Sequence, residues 1–181
     1  MKKVNRPNLP NSLTIFRIIA LPFCAYALFK NGGNDDTWRI IAFTLFFIVG
    51  LSDVLDGKIA RDRNQITEFG KLLDPIADKA MLATATIGAS YLGMLSWWVT
   101  AIFLTREVAV TILRFAVIKK GVIPASKGGK IKTLTQNFGV GFFILPLPAW
   151  LDWFKYGFIS VAIILTITSA YDYLRSWYSK R

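Results

Sequence analysis

Apolar positions along this chain do not alternate with polar ones at short range. They gather into six long runs, 13–29, 38–59, 69–92, 97–118, 134–149 and 154–174, joined by short polar connections. Each run is close to the ~20 residues that a helix needs to cross a bilayer. The pattern predicts an all-α integral membrane protein with six transmembrane helices, in one domain spanning residues 1–181. Its main interruptions are acidic. Asp53 and Asp56 fall late in the second run, and Asp74 and Asp78 fall early in the third.

Composition agrees: 54% of residues are hydrophobic, 18% are charged and the mean hydropathy is +0.44, a membrane profile rather than a soluble one. The net charge of +11 raises nucleic acid as a partner, but its distribution follows topology. Lys2, Lys3 and Arg6 precede the first run, and Lys58, Arg61, Arg63 and Lys71 lie between the second and third. Lys119, Lys120, Lys127, Lys130 and Lys132 lie between the fourth and fifth, and Arg175, Lys180 and Arg181 close the chain. The intervening connections hold Asp35, Asp36 and Asp152 instead. The positive-inside bias puts both termini and the connection after Asp56 in the cytoplasm. Trp38, Trp97, Trp98, Trp150 and Trp153 then read as an aromatic belt on the opposite side. The excess charge serves topology and anionic lipid heads, and no nucleic-acid motif accompanies it. The first run has the basic start of a signal peptide, but it contains Arg17 and Pro22, lacks a cleavage pattern and precedes five further runs. The single Cys24 excludes an internal disulfide and a thiolate zinc site.

Carboxylates at membrane depth are costly and mark function by default. Here they follow D-x2-D-G-x2-A-R-x8-G-x3-D-x3-D from Asp53 to Asp78. On helices, Asp53 and Asp56 are three apart and Asp74 and Asp78 four apart, so each pair shares a face. Two such helices make an oxygen-rich cage for Mg²⁺ or Mn²⁺. Four ionised carboxylates repel one another unless cations intervene, and a pair of divalent ions suits displacement at phosphorus. With no histidine in the chain, the base must be a carboxylate, a lysine or bound hydroxide. Arg61, Arg106, Arg114 and Lys130 exceed what the metals require and fit anionic phosphate ligands. Gly57 and Gly70, without side chains, allow a ligand close to the backbone or simply close helix packing. A structural ion pair of Arg106 and Glu107 in mid-run competes with the phosphate reading, although adjacent residues do not face each other on an ideal helix, whereas Glu107 and Arg114 share a face. Lys127 and Lys132 read as rim charges.

Together, Asp53, Asp56, Gly57, Ala60, Arg61, Gly70, Asp74 and Asp78 resemble the signature of the CDP-alcohol phosphatidyltransferase family without a departure. Further stretches resemble the branch that makes phosphatidylglycerophosphate. These are Pro10-Asn11-Ser12-Leu13-Thr14 with Arg17, Leu73 to Lys79, Thr105-Arg106-Glu107-Val108 with Arg114, and Gly129-Lys130-Ile131-Lys132-Thr133 with Gln136. The resemblance implies a homodimer in the cell membrane with a polar cavity facing the cytoplasm. Its reaction joins CDP-diacylglycerol and sn-glycerol 3-phosphate, releasing CMP. By position, Asp53, Asp56, Asp74 and Asp78 hold two divalent cations, and Asp78 is also the base. Asn11, Thr14, Gly57, Ala60, Arg61 and Gly70 line the cytidine diphosphate site, and Arg106, Arg114 and Lys130 take the acceptor's phosphate. Serine, inositol phosphate or phosphatidylglycerol as acceptor is the alternative within the family. A divalent-cation transporter is the alternative outside it, disfavoured because all four acids cluster at one end beside a basic connection that repels entering cations.

Overall fold

The computed structural model describes the backbone of residues 9–62, 68–117 and 127–178, with side chains over 14–52, 73–113 and 131–175. All its long elements are helices: α1 Leu9–Phe29, α2 Asp36–Asp62, α3 Glu68–Tyr91, α4 Trp97–Val117, α5 Lys127–Ile144 and α6 Asp152–Tyr178. The described residues form two compact units, Met1–Gly88 and Ala89–Arg181.

Five helices sit within a few residues of their apolar runs, and α5 departs from its run at both ends. It begins at Lys127, seven residues before the run at 134, because Lys130 and Lys132 enter the helix instead of ending it. It stops at Ile144 rather than 149 because Pro146 and Pro148 follow. A proline removes a donor and disfavours helical geometry in the residue before it. Among the described residues, two stretches, Thr14–Gly33 and Ala149–Arg175, are long and apolar enough to cross a membrane by length and composition alone. Among the described residues of the other helices, α3 carries Asp74, Asp78 and Lys79, and α4 carries Arg106 and Glu107.

In the first unit, α1 shows why the site forms where it does. Its buried positions include Thr14, Arg17, Leu21, Cys24 and Leu28, spaced three and four apart on one face, with Ala27 beside them. The opposite face exposes Ile15, Phe16, Ile19, Phe23 and Tyr26. Polar groups inside and large apolar groups outside invert the soluble-helix pattern, and a lipid environment is the solvent that permits this. The helix ends where Asn31, Gly32 and Gly33 take φ of 54°, 67° and 73°, a left-handed stretch that glycine enters without steric cost. The turn is then tied to α2: Asp35 Oδ1 accepts from the Thr37 amide at 2.9 Å and the Trp38 amide at 3.2 Å, an N-cap that satisfies otherwise orphan donors. The Asn31 side chain, followed by these amides, holds the Asp35 carboxyl below the usual carboxylate range. Trp38 packs edge-on against Tyr26 of α1, with ring centres 6.0 Å apart.

In the second unit, the turn into α4 is a glycine-terminated one. The Gly93 amide donates to Ser90 O at 3.1 Å and the Met94 amide to Ala89 O at 2.9 Å. With Gly93 at φ 72°, these are the two paired bonds of a Schellman cap. Ser90 and Thr100 then share a buried hydrogen bond of 2.8 Å that ties the end of α3 to α4. Between α5 and α6, Gln136 Nε2 donates to Thr166 Oγ1 at 2.9 Å. At the other end of this pair, Phe142 contacts Phe154 and Phe158, each at 5.1 Å between ring centres. Of the tryptophans expected to form a belt, Trp97, Trp98, Trp150 and Trp153 are exposed at or near helix starts, and Trp38 is half-buried.

Candidate active site

Two polar clusters stand out among the described residues, one in each unit. The first joins α1 to α3. Thr14 Oγ1 donates to Asp74 Oδ1. Arg17 Nη2 lies 3.3 Å from the same oxygen and 3.5 Å from Thr14 Oγ1. Thr14 and Arg17 are one helical turn apart on the buried face of α1, so both reach the same carboxylate. Arg17 is 3% exposed, whereas Asp74 is 49% exposed. The arrangement thus presents a carboxylate at the surface, held from behind by a hydroxyl and a guanidinium. Asp78 follows one turn later on α3 and is half-buried.

This geometry fits a hard divalent cation. Carboxylate oxygens are the donors such ions take. Thr14 and Arg17 both meet Asp74 at Oδ1, and neither uses Oδ2. Outer groups that orient a ligating carboxylate are the usual companions of a metal site. No group of three or more acidic, histidine or cysteine side chains occurs among the described residues, and the side chains of Asp53 and Asp56 lie outside them. The same holds for Asn11, Gly57, Ala60, Arg61, Gly70, Arg114 and Lys130, whose backbones are placed on α1, α2, α3, α4 and α5. Thr14, Asp74, Asp78 and Arg106 are the expected site residues whose side chains are described. Of these, the structure brings Thr14 to Asp74.

The second cluster lies on α4, α5 and α6. Arg106 Nη1 is 2.9 Å from Glu107 Oε1, and Arg106 Nη2 donates to Ser169 Oγ at 2.7 Å. Lys132 Nζ donates to the same Glu107 oxygen. Two sequence expectations are corrected here. Arg106 and Glu107 do pair although adjacent, since long side chains leaving a helix ~100° apart can still converge at their tips. Lys132 is not a rim charge: it is 2% exposed and ion-paired. Arg106 also lines a cavity of about 430 Å³ between α4 and α6, whose other walls include Ala109, Leu113 and Leu174. Its Nε has no hydrogen-bond partner among the described residues, and a buried donor left unmet costs free energy unless a ligand satisfies it.

Sequence reasoning left Arg17, Glu107, Lys132 and Ser169 out of the site. Arg17 was within reach of it: an arginine inside an apolar run, three residues after Thr14 and on the 14–17–21–24–28 face, has to be buried and paired. Ser169 carried no such signal.

The CDP-alcohol phosphatidyltransferase family model matches residues 7–168. The probable phosphatidylglycerophosphate synthase of Mycobacterium tuberculosis strain H37Rv is 46% identical over 167 residues, covering 92% of this chain and 80% of the relative. The CDP-diacylglycerol–glycerol-3-phosphate 3-phosphatidyltransferase of Escherichia coli K12 is 33% identical over 174 residues, covering 92% of this chain and 93% of the relative.

Proposed function

The chain belongs to the CDP-alcohol phosphatidyltransferase family, and on that premise we propose that it transfers the phosphatidyl group of CDP-diacylglycerol to sn-glycerol 3-phosphate. The products are phosphatidylglycerophosphate and CMP. The observation that carries this reading is the likeness over nearly the whole length of both chains to relatives bearing that activity in their names. The Asp74 carboxylate, held by Thr14 and Arg17, supplies a site of the right chemistry.

The acceptor hydroxyl oxygen attacks the phosphorus that carries diacylglycerol, and its proton passes to the Asp78 carboxylate. The bond from that phosphorus to the oxygen bridging to CMP breaks, and CMP leaves with the electron pair. Asp53, Asp56, Asp74 and Asp78 would hold two divalent cations, Mg²⁺ or Mn²⁺, which when bound supply positive charge beside the reacting phosphates. Thr14 and Arg17 fix the rotamer of Asp74 from behind. Asn11, Gly57, Ala60, Arg61 and Gly70 take the cytidine diphosphate group, and Arg106, Arg114 and Lys130 take the acceptor's phosphate. The acyl tails stay in the bilayer, which avoids extraction at ~0.8 kcal/mol per methylene.

The division of labour is testable by kinetics. Losing a charge-assisted partner costs ~1.5–3 kcal/mol, so Arg114→Ala and Lys130→Ala raise the KM for glycerol 3-phosphate ~10–100-fold. They leave donor affinity nearly unchanged, and Arg61→Ala does the reverse. Loss of donor binding in the first two variants would remove the acceptor assignment.

In this reading the protein is one domain of six spans, paired as a homodimer in the cell membrane, with both termini and the site on the cytoplasmic side. The distribution of basic residues supports the orientation. Cys24 is buried, so introduced thiols report on a quiet background. Asn34→Cys, at an exposed position, is expected to react with impermeant reagents from outside, and Arg175→Cys only after the cytoplasmic face is opened. The opposite labelling pattern overturns the orientation.

A further inference from the structure

Two cations share one carboxylate in the second unit. Glu107 Oε1 accepts from both Arg106 Nη1 and Lys132 Nζ, so the three described groups sum to +1. Paired with Glu107 alone, Arg106 would present no net charge to an incoming anion. A buried ammonium is also costly to desolvate, and an apolar side chain would pack there at least as well if structure were the only purpose. Lys132 is nevertheless 2% exposed, and Glu107 is 15% exposed.

We propose that Lys132 is a positioning residue for acceptor recognition: by occupying Glu107 it leaves the Arg106 guanidinium with net positive charge for the acceptor's phosphate. This rests on the reading that Arg106 holds that phosphate. The geometry around Arg106 favours it. Glu107 fixes Nη1 and Ser169 fixes Nη2, while Nε has no hydrogen-bond partner among the described residues and the side chain borders a cavity. The guanidinium is anchored at both terminal nitrogens, and its buried Nε is the one donor still without a partner among the described residues, a charge-assisted donor that an oxyanion would satisfy. Lys132 acts through Glu107 and touches no substrate in this scheme. Its effect falls on acceptor binding and not on the transfer step.

The experiment uses the full chain in mixed phospholipid–detergent micelles, varying glycerol 3-phosphate and CDP-diacylglycerol in turn. Lys132→Met brings the described sum to zero and raises the KM for glycerol 3-phosphate at least ~10-fold, with kcat and donor KM changed less than about 3-fold. Glu107→Gln takes the sum to +2 and lowers the acceptor KM. Combining both substitutions returns the sum to +1 and brings the acceptor KM back to within about 3-fold of the parent, the coupling that a double-mutant cycle measures. A purely structural ion pair gives a different signature, in which breaking it from either side harms alike. An acceptor KM that fails to rise with Lys132→Met, or fails to fall with Glu107→Gln, overturns the proposal. If Lys132→Met does not fold, the direction of the Glu107→Gln change decides alone. A parent protein that turns over no glycerol 3-phosphate sinks the functional reading itself, which is distinct from normal turnover with unmoved KM values.

Discussion

Asp78→Asn is expected to lower kcat by at least ~10²-fold, the usual effect of removing a positioned general base, while the protein still folds and binds CDP-diacylglycerol. The chain contains no histidine, so the ordinary proton acceptor at neutral pH is missing. Asp78 sits one turn after Asp74 on α3 and is half-buried. That places it beside the proposed cation site. Asparagine keeps the shape and can still offer one oxygen, but it cannot take the acceptor's proton. Circular dichroism and donor binding establish that the variant is intact, and turnover then reports on chemistry. Near-normal kcat in a folded Asp78→Asn protein removes the base assignment.

Asp74 carries the second large effect. Asp74→Asn leaves an oxygen for Thr14 and Arg17 to hold but deletes the charge that a cation needs, so turnover should fall at least ~10²-fold and metal affinity should weaken. Asp74→Ala goes further by leaving Arg17, 3% exposed, without this counter-ion, so it also lowers thermal stability. Thr14→Ala loosens the orientation of Asp74 and belongs in the ~10–100-fold range typical of outer-shell groups. Chelation of the parent protein should abolish activity, and added Mg²⁺ or Mn²⁺ should restore it. Turnover that resists chelators, or an Asp74→Asn protein with unchanged metal affinity, contradicts this account.

Length and hydropathy were sufficient to place most of the helices within a few residues, because a long apolar run is a strong one-dimensional signal. The ends of α5 were not, because hydropathy treats Lys130 and Lys132 as solvated charges, and nothing local shows that Lys132 meets a carboxylate 25 residues earlier. That Asp74 and Asp78 lie one turn apart on α3 was legible from spacing alone. Their support was not: Thr14 and Arg17 reach Asp74 across 60 and 57 residues of chain, a pairing that periodicity within one helix cannot encode. The Arg106–Glu107 pair was misjudged for the opposite reason. An ideal-helix rule about where Cβ atoms point was applied to two of the longer side chains, whose tips are free to converge.

The central claim is transfer of a phosphatidyl group to glycerol 3-phosphate. It is tested most directly by supplying the purified protein with labelled CDP-diacylglycerol and Mg²⁺ or Mn²⁺, and offering sn-glycerol 3-phosphate, serine, inositol phosphate and phosphatidylglycerol separately. The predicted result is labelled phosphatidylglycerophosphate with matching release of CMP from glycerol 3-phosphate, at a kcat/KM well above that of the other three. Preferred use of serine, inositol phosphate or phosphatidylglycerol would contradict the acceptor assignment, and no CMP release with any acceptor would contradict the reaction.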